Sequence, residues 1–261
     1  LIDSRRLISA KGALFFALTS KKNDGHKYIE DLYSKGIRCF VVSKLSDEHL
    51  HLPNSSFFVV ENTLEALQRL AAGHRKKYKI PVIGITGSNG KTVVKEWLYQ
   101  LMNCDKKIVR SPKSYNSQIG VPLSVWQINS SHELAIFEAG ISEPEEMQKL
   151  QSIIIPNIGI FTNIGQAHDE NFINSTQKTG EKLHLFKKVK TLIYNNDHKE
   201  VHGAVIRSGI LENITTFCWG KDASSNLKIN GVVLNAIGST INATYLNKEI
   251  GITIPFSDGA S

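Results

Sequence analysis

Apolar and polar positions change their rhythm near residue 78, and the two sides of that change predict different architectures. On the first side, Gly12–Leu18 holds an apolar run (Ala13-Leu14-Phe15-Phe16-Ala17-Leu18) that predicts a buried strand. Lys27 to Lys35 then carries Tyr28, Ile29, Leu32 and Tyr33 at helical spacing, and Gly36 stops that helix. Strands are expected at Arg38–Val42 and Ser56–Val60. Thr63 is placed to cap a helix with Leu64, Leu67, Leu70 and Ala71 on one face. The charged stretch His74-Arg75-Lys76-Lys77 marks a junction. A small α/β domain over 1–78 and a second domain over 79–261 are therefore expected.

From Lys79 onward strands and helices alternate, which predicts a mostly parallel sheet with helices on both faces. Pro81–Ile85 is the first strand. The helix Thr92–Asn103 puts Val93, Val94, Trp97, Leu98, Leu101 and Met102 inward, and Lys95, Glu96, Gln100 and Asn103 outward. Later strands at Leu134–Phe137, Ile158–Phe161 and Thr191–Tyr194 run into Glu138, Thr162-Asn163 and Asn195. Open parallel sheets bind ligands at their C-terminal edge, so these polar residues should gather round one crevice. From about Phe217 the pattern is β-rich, with Asn230-Gly231 as a hairpin-turn signal. No internal repeat is visible.

The chemistry begins between the first of these strands and the helix after it. Thr86-Gly87-Ser88-Asn89-Gly90-Lys91-Thr92 is a glycine-rich turn opening a helix. Backbone N–H groups and the positive end of the helix dipole make such a turn an anion trap. Lys91 would reach the β- and γ-phosphates of a nucleotide, and the Thr92 hydroxyl would ligate Mg²⁺. Gly84 and Gly90 enclose five residues rather than the four of the general pattern, so the spacing fits a narrower variant, Thr86 to Thr92. Glu138, directly after an apolar strand, needs a cation to meet it. With Thr92 it suits Mg²⁺, which takes one or two carboxylates plus phosphates. On spacing alone His168 is a surface loop histidine, and Lys182 belongs to a solvated lysine-rich face with Lys178, Lys187 and Lys188.

Bulk properties narrow the partners. The 261 residues are 41% hydrophobic with net charge +7, and no run is long and apolar enough for a membrane span. The basic residues are scattered without interleaved aromatics, so no nucleic-acid partner is expected. The N-terminus lacks the apolar run of a signal peptide. Cys39, Cys104 and Cys218 match neither a disulfide framework nor a zinc site, which suggests a reducing, cytoplasmic location. The chain has no initiating Met and reaches Ser261 without an obvious domain end, so it reads as the front part of a longer protein.

Taken together, several segments resemble the Mur ligase family of bacterial cell-wall synthesis. Asp3-Ser4-Arg5, Leu14–Leu18 and Asn23-Asp24-Gly25-His26-Lys27-Tyr28 are similar to its uridine-binding first domain. Thr86 to Thr92 is similar to its phosphate loop. Tyr115-Asn116-Ser117-Gln118-Ile119-Gly120 and Phe137-Glu138-Ala139-Gly140 favour the branch that adds D-alanyl-D-alanine. This chain departs from the pattern at Glu145, where the family commonly has Gly.

The resemblance implies ATP, two Mg²⁺ ions and a carbamylated lysine. Thr86 to Thr92 and Asn195 would bind ATP. Thr92 and Glu138 would hold one metal, and His168 with carbamylated Lys182 the other; Lys178 competes for that role. Lys91, His168 and Lys182 would be the catalytic set. Ser4, Arg5, Asp24, His26 and Asn116 would bind substrate. The implied activity joins D-alanyl-D-alanine to UDP-N-acetylmuramoyl-tripeptide through an acyl phosphate, by a monomer functioning in peptidoglycan synthesis, and hence in cell shape and division. Without the family's third domain the chain should turn over poorly or not at all, and the parent could be fused to an alanine racemase. The rival readings are a ligase adding the third amino acid, the related folylpolyglutamate synthase, and a non-catalytic nucleotide-binding module.

Overall fold

A computed structural model describes residues 1–7, 9–20, 23–165, 171–212, 214–235 and 238–255. They form two compact units, Leu1–His74 and Arg75–Ser261. In the first, strands β1 (Leu14–Phe16), β4 (Cys39–Val42) and β5 (Ser56–Val59) make a parallel sheet in the order β1-β4-β5. A short antiparallel pair, β2 (Thr19–Ser20) and β3 (Asn23–Asp24), follows β1, and the helices are α1 (Ile29–Ser34), α2 (Asp47–Leu50) and α3 (Thr63–Lys76). Alternation divides the sheet's faces. Phe15, Phe40 and Val42 pack with Ile29 and Leu32 of α1, whereas Phe16 and Val41 pack with Leu67 of α3.

Two local expectations change here. Asn62, rather than Thr63, caps α3, accepting from the N–H groups of Leu64 and Glu65 at 2.9 and 3.0 Å. Thr63 instead donates to the Ala17 carbonyl at 3.1 Å. The charged run at the end of α3 also divides: Arg75 is buried and donates to the carbonyls of Ile154, Tyr78 and Ile80.

The second unit is built on a nine-stranded sheet. Its strands are β6 (Val82–Thr86), β7 (Ile108–Arg110), β8 (Leu134–Glu138), β9 (Ile158–Phe161), β10 (Thr191–Asn195), β11 (Thr215–Gly220), β12 (Leu227–Asn235), β13 (Gly238–Tyr245) and β14 (Lys248–Ile254). The order is β14-β13-β12-β11-β10-β9-β6-β8-β7, parallel from β7 to β12 and antiparallel from β12 to β14. The α/β class with a mostly parallel sheet and a β-rich end is therefore as expected. The helices are α4 (Lys91–Met102), α5 (Gly120–Val125), α6 (Glu146–Ile154), α7 (Ser175–Leu183) and α8 (Lys199–Arg207). No helix among the described residues is long and apolar enough to cross a membrane.

The chain winds to one side of β6 through β7 and β8, then to the other side through β9. Such a reversal opens a crevice at the C-terminal end of β6. β6 is buried along its whole length, with Ile83 and Ile85 packed on Leu134 and Ile136 beneath Val94, Leu98 and Met102 of α4.

Two readings of this unit need correction. Lys95, expected outward on α4, is fully buried, while Val93 and Leu101 are exposed. Asn230-Gly231 is not the hairpin turn but lies inside β12, where the register slips between Ile229 and Gly231. A β-bulge absorbs the extra residue there, and Asn230 Nδ2 donates across the ladder to Thr244 Oγ1 at 2.8 Å. Glu145, just before α6, has φ 66°. That left-handed backbone suits glycine, so it explains a preference for Gly at this position and makes Glu145 a strained departure from it. Glu145→Gly is expected to raise stability by about 1 kcal/mol. A urea unfolding curve with an unchanged or lower midpoint would contradict this.

Candidate active site

The phosphate loop is held open by its neighbours rather than by itself. Gly87 has φ 144°, and a Cβ there would lie 1.9 Å from Thr162 Oγ1, so the backbone passes where no side chain fits. Gly90 has φ 80° and precedes α4. The loop after β9 clasps this turn. Ser88 N and Asn89 N donate to the carbonyl and side chain of Asn163 at 2.8 and 3.0 Å, and Thr162 Oγ1 donates to Asn89 O at 2.6 Å. Thr86 is buried and donates its hydroxyl to Ala139 O at 2.7 Å, tying β6 to the end of β8. Thr86 therefore shapes the loop, with no hydroxyl proton left for a phosphate. Helix geometry leaves the N–H groups at the start of α4 without intrahelical acceptors, aimed at any anion above them.

A cleft of about 250 Å³ opens there, lined among others by Gly87, Ser88, Lys91, Asn116, Glu146 and Lys182. Lys91 curls back on its own loop, with Nζ 2.8 Å from Gly87 O and 3.1 Å from Ser88 O. Burial pushes its amine down, while Glu138 acts in the opposite sense. Glu138 is fully buried at the end of β8. Its Oε2 accepts from Thr92 Oγ1 at 3.0 Å and Asn116 Nδ2 at 3.3 Å. Its Oε1 meets the Lys95 ammonium at 2.9 Å, an ion pair without hydrogen-bond alignment. The cation that the sequence required at Glu138 is therefore a lysine of this chain. The oxygens of Glu138 and Thr92 still form the kind of hard donor pair that suits Mg²⁺ beside phosphate.

Lys182 projects from α7 into the same cleft and is buried, not on a solvated face. Its Nζ lies 3.4 Å from Gly87 O. Burial, then the charges of Lys91 and Lys178, push its amine down to about 7. Lys178, one turn earlier and also buried, donates to Gly165 O at 2.5 Å. That carbonyl also accepts from Ser88 Oγ, so Lys178 braces the loop under the nucleotide turn. His168 lies outside the described residues. Among those described, no group of three or more His, Cys, Asp or Glu could hold a metal.

Asn195 ends β10 and accepts from Asp197 N at 2.8 Å, while Asp197 accepts from Lys221 N at 2.7 Å. The pair forms a local turn, and Asn195 does not line the cleft. In the first unit, Arg5 is exposed and held by both oxygens of Asp3 at 2.9 Å, on the turn that includes Ser4. His26 is buried, its Nδ1 2.6 Å from Asp24 Oδ1 and its Nε2 accepting from Ser43 N at 3.0 Å. Both ring nitrogens are engaged, so His26 positions Asp24. The Lys44 ammonium and then the His26 N–H groups hold the Asp24 carboxyl well below the usual range. Residues that sequence reasoning missed are Lys95 and Ser111, whose Oγ accepts from Glu138 N at 3.1 Å. The signal for Lys95 was its position three residues after Thr92, which puts both on one face of α4.

Known proteins are similar to this chain in sequence and fold. Residues 2–75 match the Mur ligase family catalytic domain and residues 85–257 the Mur ligase middle domain. UDP-N-acetylmuramoyl-tripeptide–D-alanyl-D-alanine ligase of Rickettsia prowazekii is 32% identical over 253 residues, covering 94% of this chain and 55% of the relative. MurF from Acinetobacter baumannii superposes with a TM-score of 0.85 at 22% identity, over 98% of this chain and 55% of that one. The MurF ligase from Thermotoga maritima, solved in complex with ADP, superposes with a TM-score of 0.80 at 22% identity over 95% and 57%. The chain thus spans about half the length of the relatives it matches. With both of its units matched and the phosphate loop built between β6 and α4, the chain belongs to the Mur ligase family.

Proposed function

We propose that the protein to which this chain belongs is an ATP-dependent ligase that joins D-alanyl-D-alanine to UDP-N-acetylmuramoyl-tripeptide, functioning as a monomer in the cytoplasm. The observation that carries this reading is that Lys91, Asn116 and Lys182 line one cleft, with the Thr92–Glu138 pair joined to it through the hydrogen bond from Asn116 to Glu138. The name of the Rickettsia relative supports the choice of substrates. In this reading the first unit holds the uridine end of the substrate, with the Ser4–Arg5 turn and Asp24 as contacts. Asn116 lies near the reacting end, and Asn195 near the adenine.

A carboxylate cannot acylate an amine directly, because an oxide anion would have to leave. Its oxygen instead attacks the γ-phosphorus of ATP, ADP leaves, and an acyl phosphate results. The amine then attacks the acyl carbon, phosphate leaves, and the amine loses a proton. Catalysis of such a transfer is mainly positioning and charge neutralisation. Lys91 would swing from Gly87 O to the β- and γ-phosphates, while the first N–H groups of α4 hold the phosphate oxygens. Mg²⁺ held by Thr92 and Glu138, and a second ion held by His168 and Lys182, would supply further neutralisation when bound.

Lys182 can serve a metal only after losing its positive charge. As a neutral amine it attacks the carbon of CO₂, forming an N–C bond and releasing a proton. The resulting carbamate is an anion facing Lys91 and Lys178. We favour Lys182 over Lys178 because the latter is held on Gly165 O.

The test is calorimetric titration of this chain with UDP-N-acetylmuramoyl-tripeptide and, for comparison, the dipeptide. Stronger binding of the tripeptide is expected, with ATP–Mg²⁺ bound independently and no turnover by the chain alone. Preference for the dipeptide would move the protein one step earlier in the pathway. Binding of neither, with nucleotide still bound, would favour a nucleotide-binding module.

A further inference from the structure

Thr92 and Lys95 lie one turn apart on the face of α4 that meets the end of β8, and they divide the Glu138 carboxylate between them. Thr92 engages Oε2 and Lys95 engages Oε1. Lys95 and Glu138 are both fully buried, an expensive arrangement unless each charge is held from several sides. Lys95 is so held: it donates to Ser111 O at 2.8 Å and to Lys113 O, and it meets Glu96 Oε1 at 3.1 Å. Glu96 is braced in turn by Arg110 Nε at 3.0 Å. Lys95 is fully buried and does not line the cleft.

We propose that Lys95 is a positioning residue that makes metal uptake depend on nucleotide. The inference rests on the reading of Thr92 and Glu138 as a metal site. Lys95 cancels the single charge of Glu138 and presents only Oε2 to the phosphate loop. A free divalent ion approaching Oε2 meets a neutralised carboxylate, with Lys95 behind it and Lys91 beside it. The Lys95–Glu138 pair sums to zero and Lys91 leaves one net positive charge beside it, which opposes an ion to which one hydroxyl and one shared carboxylate oxygen return little. Nucleotide phosphates reverse the balance, because they bring several negative charges to Lys91 and the first turn of α4. The ion therefore enters with the phosphates rather than before them.

The experiment follows Mn²⁺ as a probe for Mg²⁺ by the electron paramagnetic resonance of the free ion, using this chain with and without ADP. Wild type should leave Mn²⁺ free without nucleotide and bind it with ADP. Lys95→Met leaves Glu138 a buried charge in need of another cation, and should bind Mn²⁺ without nucleotide by about tenfold or more over wild type. Lys95→Met with Glu138→Gln should lose that gain. Lys95→Gln, which can still hydrogen-bond to Glu138, replaces Lys95→Met if the latter does not fold. The proposal is overturned if wild type binds Mn²⁺ equally with and without ADP. It is also overturned if folded Lys95 variants match wild type without ADP. A wild type that binds no Mn²⁺ even with ADP would overturn the metal-site reading and the Lys95 role with it.

Discussion

Glu138→Ala is expected to destabilise this chain by about 3 kcal/mol, far more than a strand-end surface substitution would. The reason is Lys95. It has no exposure to solvent and cannot leave its place between Ser111 O and Lys113 O when its carboxylate disappears. Breaking a buried pair from one side costs ~3–5 kcal/mol. The carbonyls and Glu96 that remain around Lys95 put the expectation at the lower end. Thr92 and Asn116 lose their shared acceptor in the same substitution, so nucleotide-dependent metal binding should vanish as well. Urea unfolding checks the first effect. A variant within 1 kcal/mol of wild type, an amount typical of exposed pairs, would show that the ion pair contributes little.

Lys182→Met should have the opposite effect on stability and a damaging one on chemistry. Lys182 is buried beside Lys91 and Lys178, and its amine is held at about 7 against an ordinary 10.5. Between those values the unfolded chain binds a proton that the folded chain does not, so the lysine's contribution to stability rises with pH across that window. Below about 7 both states are protonated and the full penalty of the buried cation is present. Methionine fills similar space without charge. In bicarbonate-free buffer the variant should therefore unfold at higher temperature than wild type near neutral pH, with the difference shrinking as pH rises towards 10.5. Added bicarbonate should stabilise wild type and leave the variant unchanged. With carbon-13 bicarbonate, a carbamate resonance should appear in wild type and in Lys178→Arg, but not in Lys182→Met. In the full-length ligase proposed above, Lys182→Met should lower ligation by about 10²-fold or more. A carbamate signal that survives in Lys182→Met would move the modification elsewhere.

Much of the scaffold could be read from short-range pattern. The alternation that separates Phe15 from Phe16 divides one sheet between two helices, and the apolar run ending at Thr86 becomes a fully buried central strand. Thr86 to Thr92 was legible because its chemistry lies in consecutive backbone groups, so a strand, two glycines and a helix start suffice to build it. The same local reasoning failed where a residue's meaning depended on a distant partner. Asn230-Gly231 has the composition of a turn, but pairing with Asn242 and its neighbours on β13 makes it a bulge. Lys95 and Lys182 show this most sharply. A lysine's charge says "surface" until another element covers it, and each occupies a position that periodicity assigned to solvent. Only the packing of α4 on β8 brings Lys95 to Glu138, and only the approach of α7 to the phosphate loop sets Lys182 against Lys91. By itself the sequence determined the strands, the anion-binding turn and the need for a cation at Glu138. The tertiary structure decided which cation it is and pushes Lys182 towards its neutral form, because desolvation and Coulomb energy depend on neighbours that lie tens of residues away along the chain.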